Sequence, residues 1–283
     1  MSARTIELTV FLADELHDFL IAELADLDFD TFVQDEDQLK AYTLAAQWDG
    51  VKREHVEQWL VAQGLGPHAL QEQLIDPENW NASWEASLQA VPVGPFVIKP
   101  SGAEIPPACA GRIVLHIDPK MSFGTGYHES TRLILRSVKY LVRPGMTVLD
   151  AGTGTGILGI GAIKLGAARA VAFDIDGWAK TNGEENAVRN GVAEAMDFRE
   201  GGIEVISEDG FDVVLANINR NALLDLMPAF AQKTQPDGYL VLAGLLQTDR
   251  QQILSAAKAC GFRYVREAIE NEWWSVVMQR TAP

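Results

Sequence analysis

The stretch Val148-Leu149-Asp150-Ala151-Gly152-Thr153-Gly154-Thr155-Gly156 runs from an apolar strand into an acid and then glycines at alternate positions, with an apolar-periodic segment following to Leu165. Glycine tolerates positive φ and lets backbone N–H groups approach a ligand, so a glycine-rich turn between a strand and a helix is a nucleotide-binding shape. The shape alone does not name the nucleotide. Gly154-x-Gly156-x-x-Gly159 satisfies the dinucleotide fingerprint, in which a pyrophosphate sits at the helix N-terminus and the third glycine permits close helix–strand packing.

A second cofactor class fits the same turn. S-adenosylmethionine carries no phosphate and presents a cationic sulfonium, an amino group and a carboxylate, and an acid at the strand end, Asp150, suits it better than it suits a pyrophosphate. The order Asp150-x-Gly152-x-Gly154-x-Gly156 resembles the first motif of the class I methyltransferases. Ala170-Val171-Ala172-Phe173-Asp174-Ile175-Asp176 reads as the next buried strand, and Asp174 lies about twenty residues after the turn, where a ribose-binding acid belongs. Asp176 either joins it or caps the following helix, Asp being a preferred N-cap.

The chain has 283 residues, 47% of them hydrophobic, which is enough for two domains with sizeable cores. No apolar run approaches the roughly 20 residues of a membrane-spanning helix, and the N-terminus leads straight into a strand pattern, so a cytoplasmic protein without membrane contact is expected. Cys109 and Cys260 lie far apart without metal-ligand spacing, so buried free thiols and no metal site are expected. Of the net charge of -16, residues 1–90 carry -14, from 18 acidic and 4 basic side chains. Such a field repels nucleic acid and steers basic partners toward the first domain.

Thr5–Val10 alternates as a strand, Asp14–Leu24 has helical spacing, and Phe29–Val33 with Leu39–Ala46 form a hairpin through Asp35-Glu36-Asp37-Gln38. A helix Val51–Ala62 and a strand Ala69–Ile75 complete β-α-β-β-α-β, a small α+β ferredoxin-like domain over 1–76. Residues 77–120 are expected to connect the domains, with a helix Pro77–Ser87 carrying Trp80 and Trp84, then strands Val91–Lys99 and Arg112–Ile117. From Leu133 helical and strand patterns alternate, which means an α/β doubly wound parallel sheet over 121–283. The last two strands, Arg263–Ile269 and Trp273–Gln279, are separated by Glu270-Asn271-Glu272 alone and must be antiparallel. A parallel sheet ending in an antiparallel hairpin resembles the Rossmann-like class I methyltransferase fold.

Three further stretches narrow the resemblance: Asp118-Pro119-Lys120-Met121-Ser122-Phe123-Gly124-Thr125-Gly126-Tyr127-His128-Glu129-Ser130-Thr131, then Ala216-Asn217-Ile218, and Trp80 with Trp84-Glu85. Together they are similar to the ribosomal protein L11 methyltransferase family, specifically over about residues 78–280 and by element order alone over the first 76. The resemblance implies an N-terminal recognition domain, a linker and a catalytic domain that uses S-adenosylmethionine to methylate lysine side chains and the N-terminal amine of a large-subunit ribosomal protein. It implies cofactor contacts at Thr131, Gly152, Asp174 and Asn217, beside Asp150, Gly154 and Gly156 of the turn. The chain departs from the family pattern at Lys120, Ser122, Tyr127, Thr153, Thr155, Gly177 and Asn219-Arg220-Asn221.

Each of these positions also has a local chemical reading. Thr131 offers a hydroxyl at a helix start. Asn217, at a strand end beside the switch point, can accept from the incoming amine or from the cofactor. Phe123 is a candidate lid over the adenine or the target lysine, and His128 is the one motif histidine placed to assist. Methyl transfer to an amine is an in-line displacement that needs alignment and a deprotonated nucleophile, with no obligatory base. Rival functions are a methyltransferase of the same family acting on a non-ribosomal protein or a small amine, a nicotinamide-dependent oxidoreductase, and a non-catalytic binding protein. A monomer is expected.

Overall fold

A computed structural model describes residues 4–75, 87–120 and 122–282. The chain divides into two compact units, Met1–Trp80 and Asn81–Pro283. In the first, β1 (Thr5–Phe11), α1 (His17–Ala25), β2 (Thr31–Asp35), β3 (Gln38–Leu44), α2 (Gly50–Ala62) and β4 (Leu70–Ile75) follow one another. The strands pair antiparallel in the order β2-β3-β1-β4. Alternation along β1 and β3 sends Leu8, Val10, Leu39 and Ala41 to one face, where Leu20 and Leu24 of α1 and Val56 and Leu60 of α2 cover them. Asp49 caps α2 by accepting from the backbone N–H groups of Val51 and Lys52. The expected helix at Asp14 begins as a 3₁₀ turn over Asp14–Leu16 before α1 proper.

Of the connecting segment 77–120, the expected helix with Trp80 and Trp84 lies outside the described residues. Its strands are β5 (Val91–Val93), β6 (Phe96–Lys99) and β7 (Ile113–His116), which make a separate small sheet. Val93, Phe96, Ile98, Leu115 and Ile117 share one core with α3 (Glu129–Leu141) and with α4 (Ile157–Lys164), so this stretch is packed as part of the second unit.

The second unit is built on seven strands: β8 (Thr147–Ala151), β9 (Arg169–Asp174), β10 (Met196–Glu200), β11 (Phe211–Asn217), β12 (Thr234–Leu246), β13 (Phe262–Glu270) and β14 (Trp273–Arg280). Their order is β10-β9-β8-β11-β12-β14-β13. The first five are mutually parallel, while β14 enters antiparallel between β12 and β13. Strands buried on both faces read as continuous apolar runs, and here one face packs against α3 and α4, the other against α6 (Arg220–Lys233) and α7 (Arg250–Ala259). β12 is longer than the Tyr239–Leu242 expected: Thr234 already pairs with Phe211 before a turn at Asp237, and a bulge at Gly244 carries pairing on to Leu246. Cys109 is buried, whereas Cys260 is only partly so.

Chain order reverses at β8, from which the path leads outward through β9 and β10 and returns to β11 on the other side. Ligands of open α/β sheets bind at that reversal, beyond the C-terminal strand ends. Those ends are Ala151, Asp174 and Asn217.

Candidate active site

A cavity of about 670 Å³ opens at the reversal, walled by Gly152 and Gly154 after β8, Asp174 at the end of β9 and Asn217 at the end of β11. Gly152, Gly154 and Gly156 all take positive φ, at 68°, 52° and 81°. At two of them a side chain is also excluded by space. A Cβ on Gly154 would lie 2.2 Å from the Phe123 carbonyl oxygen, and one on Gly152 would lie 2.3 Å from Ile218 Cγ2.

Every backbone donor of the turn is already committed. Gly152 and Thr153 donate to the Phe173 carbonyl, Gly154 to Asp174 Oδ2 at 3.0 Å, Thr155 to the Phe123 carbonyl at 2.9 Å and Gly156 to the Thr153 carbonyl. A pyrophosphate cradle needs such donors free. The charged groups on the wall are Asp174, Asp176, Glu204 and Asp225, with no Lys or Arg among the described wall residues. The cavity therefore favours a cationic ligand and disfavours a phosphate.

Asp174 accepts from Gly154 through Oδ2 and from the Asp176 N–H through Oδ1 at 3.1 Å. A carboxylate has about four lone-pair positions, so this one is held rigid and still has acceptor capacity toward the cavity. Asp176 caps α5 (Gly177–Arg189) by accepting from the Trp178 N–H, and it also reaches the wall. Asn217 donates through Nδ2 to Thr131 Oγ1 at 3.1 Å, while its Oδ1 is buried with no partner among the described residues. A buried acceptor without a donor is costly unless a ligand supplies one.

Four of the expected site residues are not on the wall. Thr131 is fully buried in the first turn of α3 and touches the site through Asn217. Asp150 is buried beneath the turn, where its Oδ2 accepts from Thr153 Oγ1 at 2.8 Å and from the Gly159 N–H at 3.0 Å. Burial pushes its carboxyl up to about 7, against the lowering effect of those two hydrogen bonds. The third glycine of the dinucleotide fingerprint thus answers an internal acid. Gly156 is the N-cap of α4 and gives Phe198 room, since a Cβ there would sit 3.1 Å from the Phe198 ring.

His128 caps α3, its Nδ1 accepting from the Ser130 N–H at 3.3 Å, and its ring lies edge-on to Phe123 at 5.3 Å and to Trp273 at 4.4 Å. Phe123, which does line the cavity, is half exposed. The loop bearing it is fastened to the turn by Thr155, whose N–H and Oγ1 donate to the carbonyls of Phe123 and Gly124. Lys120 holds φ of 47°, in the left-handed region that favours glycine, and pairs with Glu185 at 2.5 Å.

Ile218 and Asn219 are joined on the wall by Ala222, Asp225 and Leu226, three residues that no motif marks. Asn219 caps α6 by accepting from the Ala222 N–H, which turns Ala222, Asp225 and Leu226 to one helix face at i, i+3 and i+4. That spacing directly after Asn217-Ile218 was the available signal. Glu204 stands in a 3₁₀ turn, Ile203–Val205, with no periodicity to mark it.

A sequence profile described as "Ribosomal protein L11 methyltransferase (PrmA)" matches residues 15–281. Proteins named ribosomal protein L11 methyltransferase from Chlorobaculum parvum and Thermus thermophilus are similar to this chain. The first is 35% identical over 97% of this chain and 96% of its own length, the second 38% identical over 70% and 76%. The crystal structure of a ribosomal protein L11 methylase from Lactobacillus delbrueckii subsp. bulgaricus aligns with a TM-score of 0.64 and 27% identity, covering 69% of this chain and 100% of that one. By the profile and the near full-length relatives, the chain belongs to the ribosomal protein L11 methyltransferase family.

Proposed function

We propose that the protein transfers methyl groups from S-adenosylmethionine to amines of ribosomal protein L11, lysine side chains and the N-terminal amine. The observation that carries the cofactor reading is the wall itself: carboxylates and an unpaired amide oxygen, without a basic side chain among its described residues. When bound, S-adenosylmethionine supplies a methyl group activated by positive sulfur. Asp174 takes the ribose hydroxyls with the acceptor capacity its backbone bonds leave free. Asn217 Oδ1 accepts from an N–H brought by the ligand or by the acceptor amine, and Thr131 fixes the amide that does so.

The nucleophile would be an uncharged amine aligned with that methyl, so the chain's own task is to hold the amine in line and unprotonated, its proton passing to solvent. A lysine has an ordinary pKa of about 10.4, and desolvation lowers it. Phe123, Ile218 and Leu226 supply the apolar surface that excludes water. His128 braces Phe123 and takes no proton in this scheme.

Substrate selection rests with the first domain, residues 1–76, whose acidic field docks a basic protein while residues 121–283 do the chemistry, the protein acting as a cytoplasmic monomer. No helix among the described residues is long and apolar enough to cross a membrane. Calorimetric titration of the full chain with S-adenosylmethionine and separately with NADH tests the cofactor reading: saturable binding of the first and none of the second is expected. NADH binding without S-adenosylmethionine binding would overturn it.

A further inference from the structure

A separate groove of about 200 Å³ lies between α3 and the terminal hairpin and shares no wall residue with the cavity above. Leu133, Arg136, Ser137 and Tyr140 follow at i, i+3, i+4 and i+7 and form its helical side. Arg266 and Ala268 of β13 stand opposite Val277 and Ser275 of β14, so these four share the face turned toward α3. Ser275 is 1% exposed on this otherwise apolar floor, and its Oγ has no hydrogen-bond partner among the described residues.

The charged groups about the groove are unevenly matched. Glu270 pairs with both Arg132 and Arg136, each at 2.6 Å. Arg266 donates to the Ser137 carbonyl at 3.0 Å and lies 4.8 Å from the Tyr140 ring centre, with no carboxylate in ion-pair range among the described residues. Glu267, though part of the wall, stands opposite Val276 on the other face and is engaged there by Trp274 and Arg250. What the groove offers is therefore one guanidinium without a carboxylate partner, Arg266, beside Arg136, which is shared with Glu270, and an unanswered hydroxyl. Guanidinium forks match phosphate oxygens. The volume is below the roughly 300 Å³ at which small-molecule pockets begin, which suits one phosphoryl group and not a nucleoside.

We propose that this groove is a binding site for a phosphoryl oxyanion, held by Arg136, Arg266 and the Ser275 hydroxyl, carried either as free phosphate or as a phosphate of RNA. The site stands on its own residues and does not depend on the methyl-transfer reading. Calorimetric titration of the full chain with inorganic phosphate tests it, beside Arg266→Gln, Arg266→Lys and Ser275→Ala. Saturable binding is expected in the parent chain, weakened at least about tenfold in Arg266→Gln and partly restored in Arg266→Lys. Ser275→Ala loses affinity while its melting temperature without phosphate does not fall, because the hydroxyl removed has no partner to lose.

Phosphate that displaces a bound oligoribonucleotide assigns the natural ligand to RNA, and phosphate binding without oligoribonucleotide binding assigns it to the free ion. Absence of saturable phosphate binding, or equal affinity in the parent chain, Arg266→Gln and Ser275→Ala, would overturn the proposal.

Discussion

Asp150 sits fully buried under the glycine turn with one oxygen bonded to Thr153 and Gly159 and the other without a partner among the described residues. Its carboxyl is pushed from an ordinary 3.8 up to about 7, so between those values the folded chain binds a proton the unfolded chain has released. The sign of the linkage follows: stability falls as pH rises from about 4 to about 7 and is level above that. Asp150→Asn cannot ionise and should lose this part of the fall, as followed by calorimetric melting temperature against pH. A variant with an unchanged slope would place the titration elsewhere. The motif leads one to expect Asp150 at the cofactor, whereas the folded chain buries it beneath the turn, because a motif records which residues occur together and not which way a side chain turns. Asp150 points down into the packing and Asp174 stays at the wall.

At the scale of elements, the site is a junction of strand ends whose backbones approach one another closely. Ile218 is the piece clamped there: Gly152 leaves room for its side chain, and Gly244, in the bulge of β12, leaves room for its backbone. A Cβ on Gly244 would fall 2.4 Å from the Ile218 carbonyl oxygen, at a φ of 78°. Gly244→Ala should therefore destabilise the chain by about 1–3 kcal/mol and displace Asn217, weakening S-adenosylmethionine binding. Denaturant unfolding and titration together check this, and unaltered cofactor affinity in the folded variant would count against the clamp.

The alternation of helix and strand, the turn and the antiparallel end of the sheet were legible because each follows from local periodicity or loop length. The bulge was not, since it depends on the neighbouring strand. Nor was the stripe of Asn182 and Asn186 on α5 with Asn190 at its C-cap, which holds the backbone of His116, Asp118 and Thr155. Polar residues at helical spacing read as a solvated face, and only the fold shows that these three are buried.

Across the whole molecule, chemistry and charge are separated along the chain. The first 90 residues hold a net of -14 and the remaining residues -2, while the cavity is built entirely within the second unit. The first unit has a core of its own, centred on Leu8, Leu20, Leu39 and Leu60. Removing residues 1–76 should accordingly leave S-adenosylmethionine binding intact and abolish methylation of the protein substrate; undiminished methylation by the truncated chain would deny the first domain its docking role. Methyl transfer to ribosomal protein L11 is read directly by intact mass spectrometry of purified L11 after incubation with the full chain and S-adenosylmethionine. L11 should become heavier by whole methyl groups, only when enzyme and cofactor are both present. L11 of unchanged mass, under conditions where the enzyme binds S-adenosylmethionine, would contradict it.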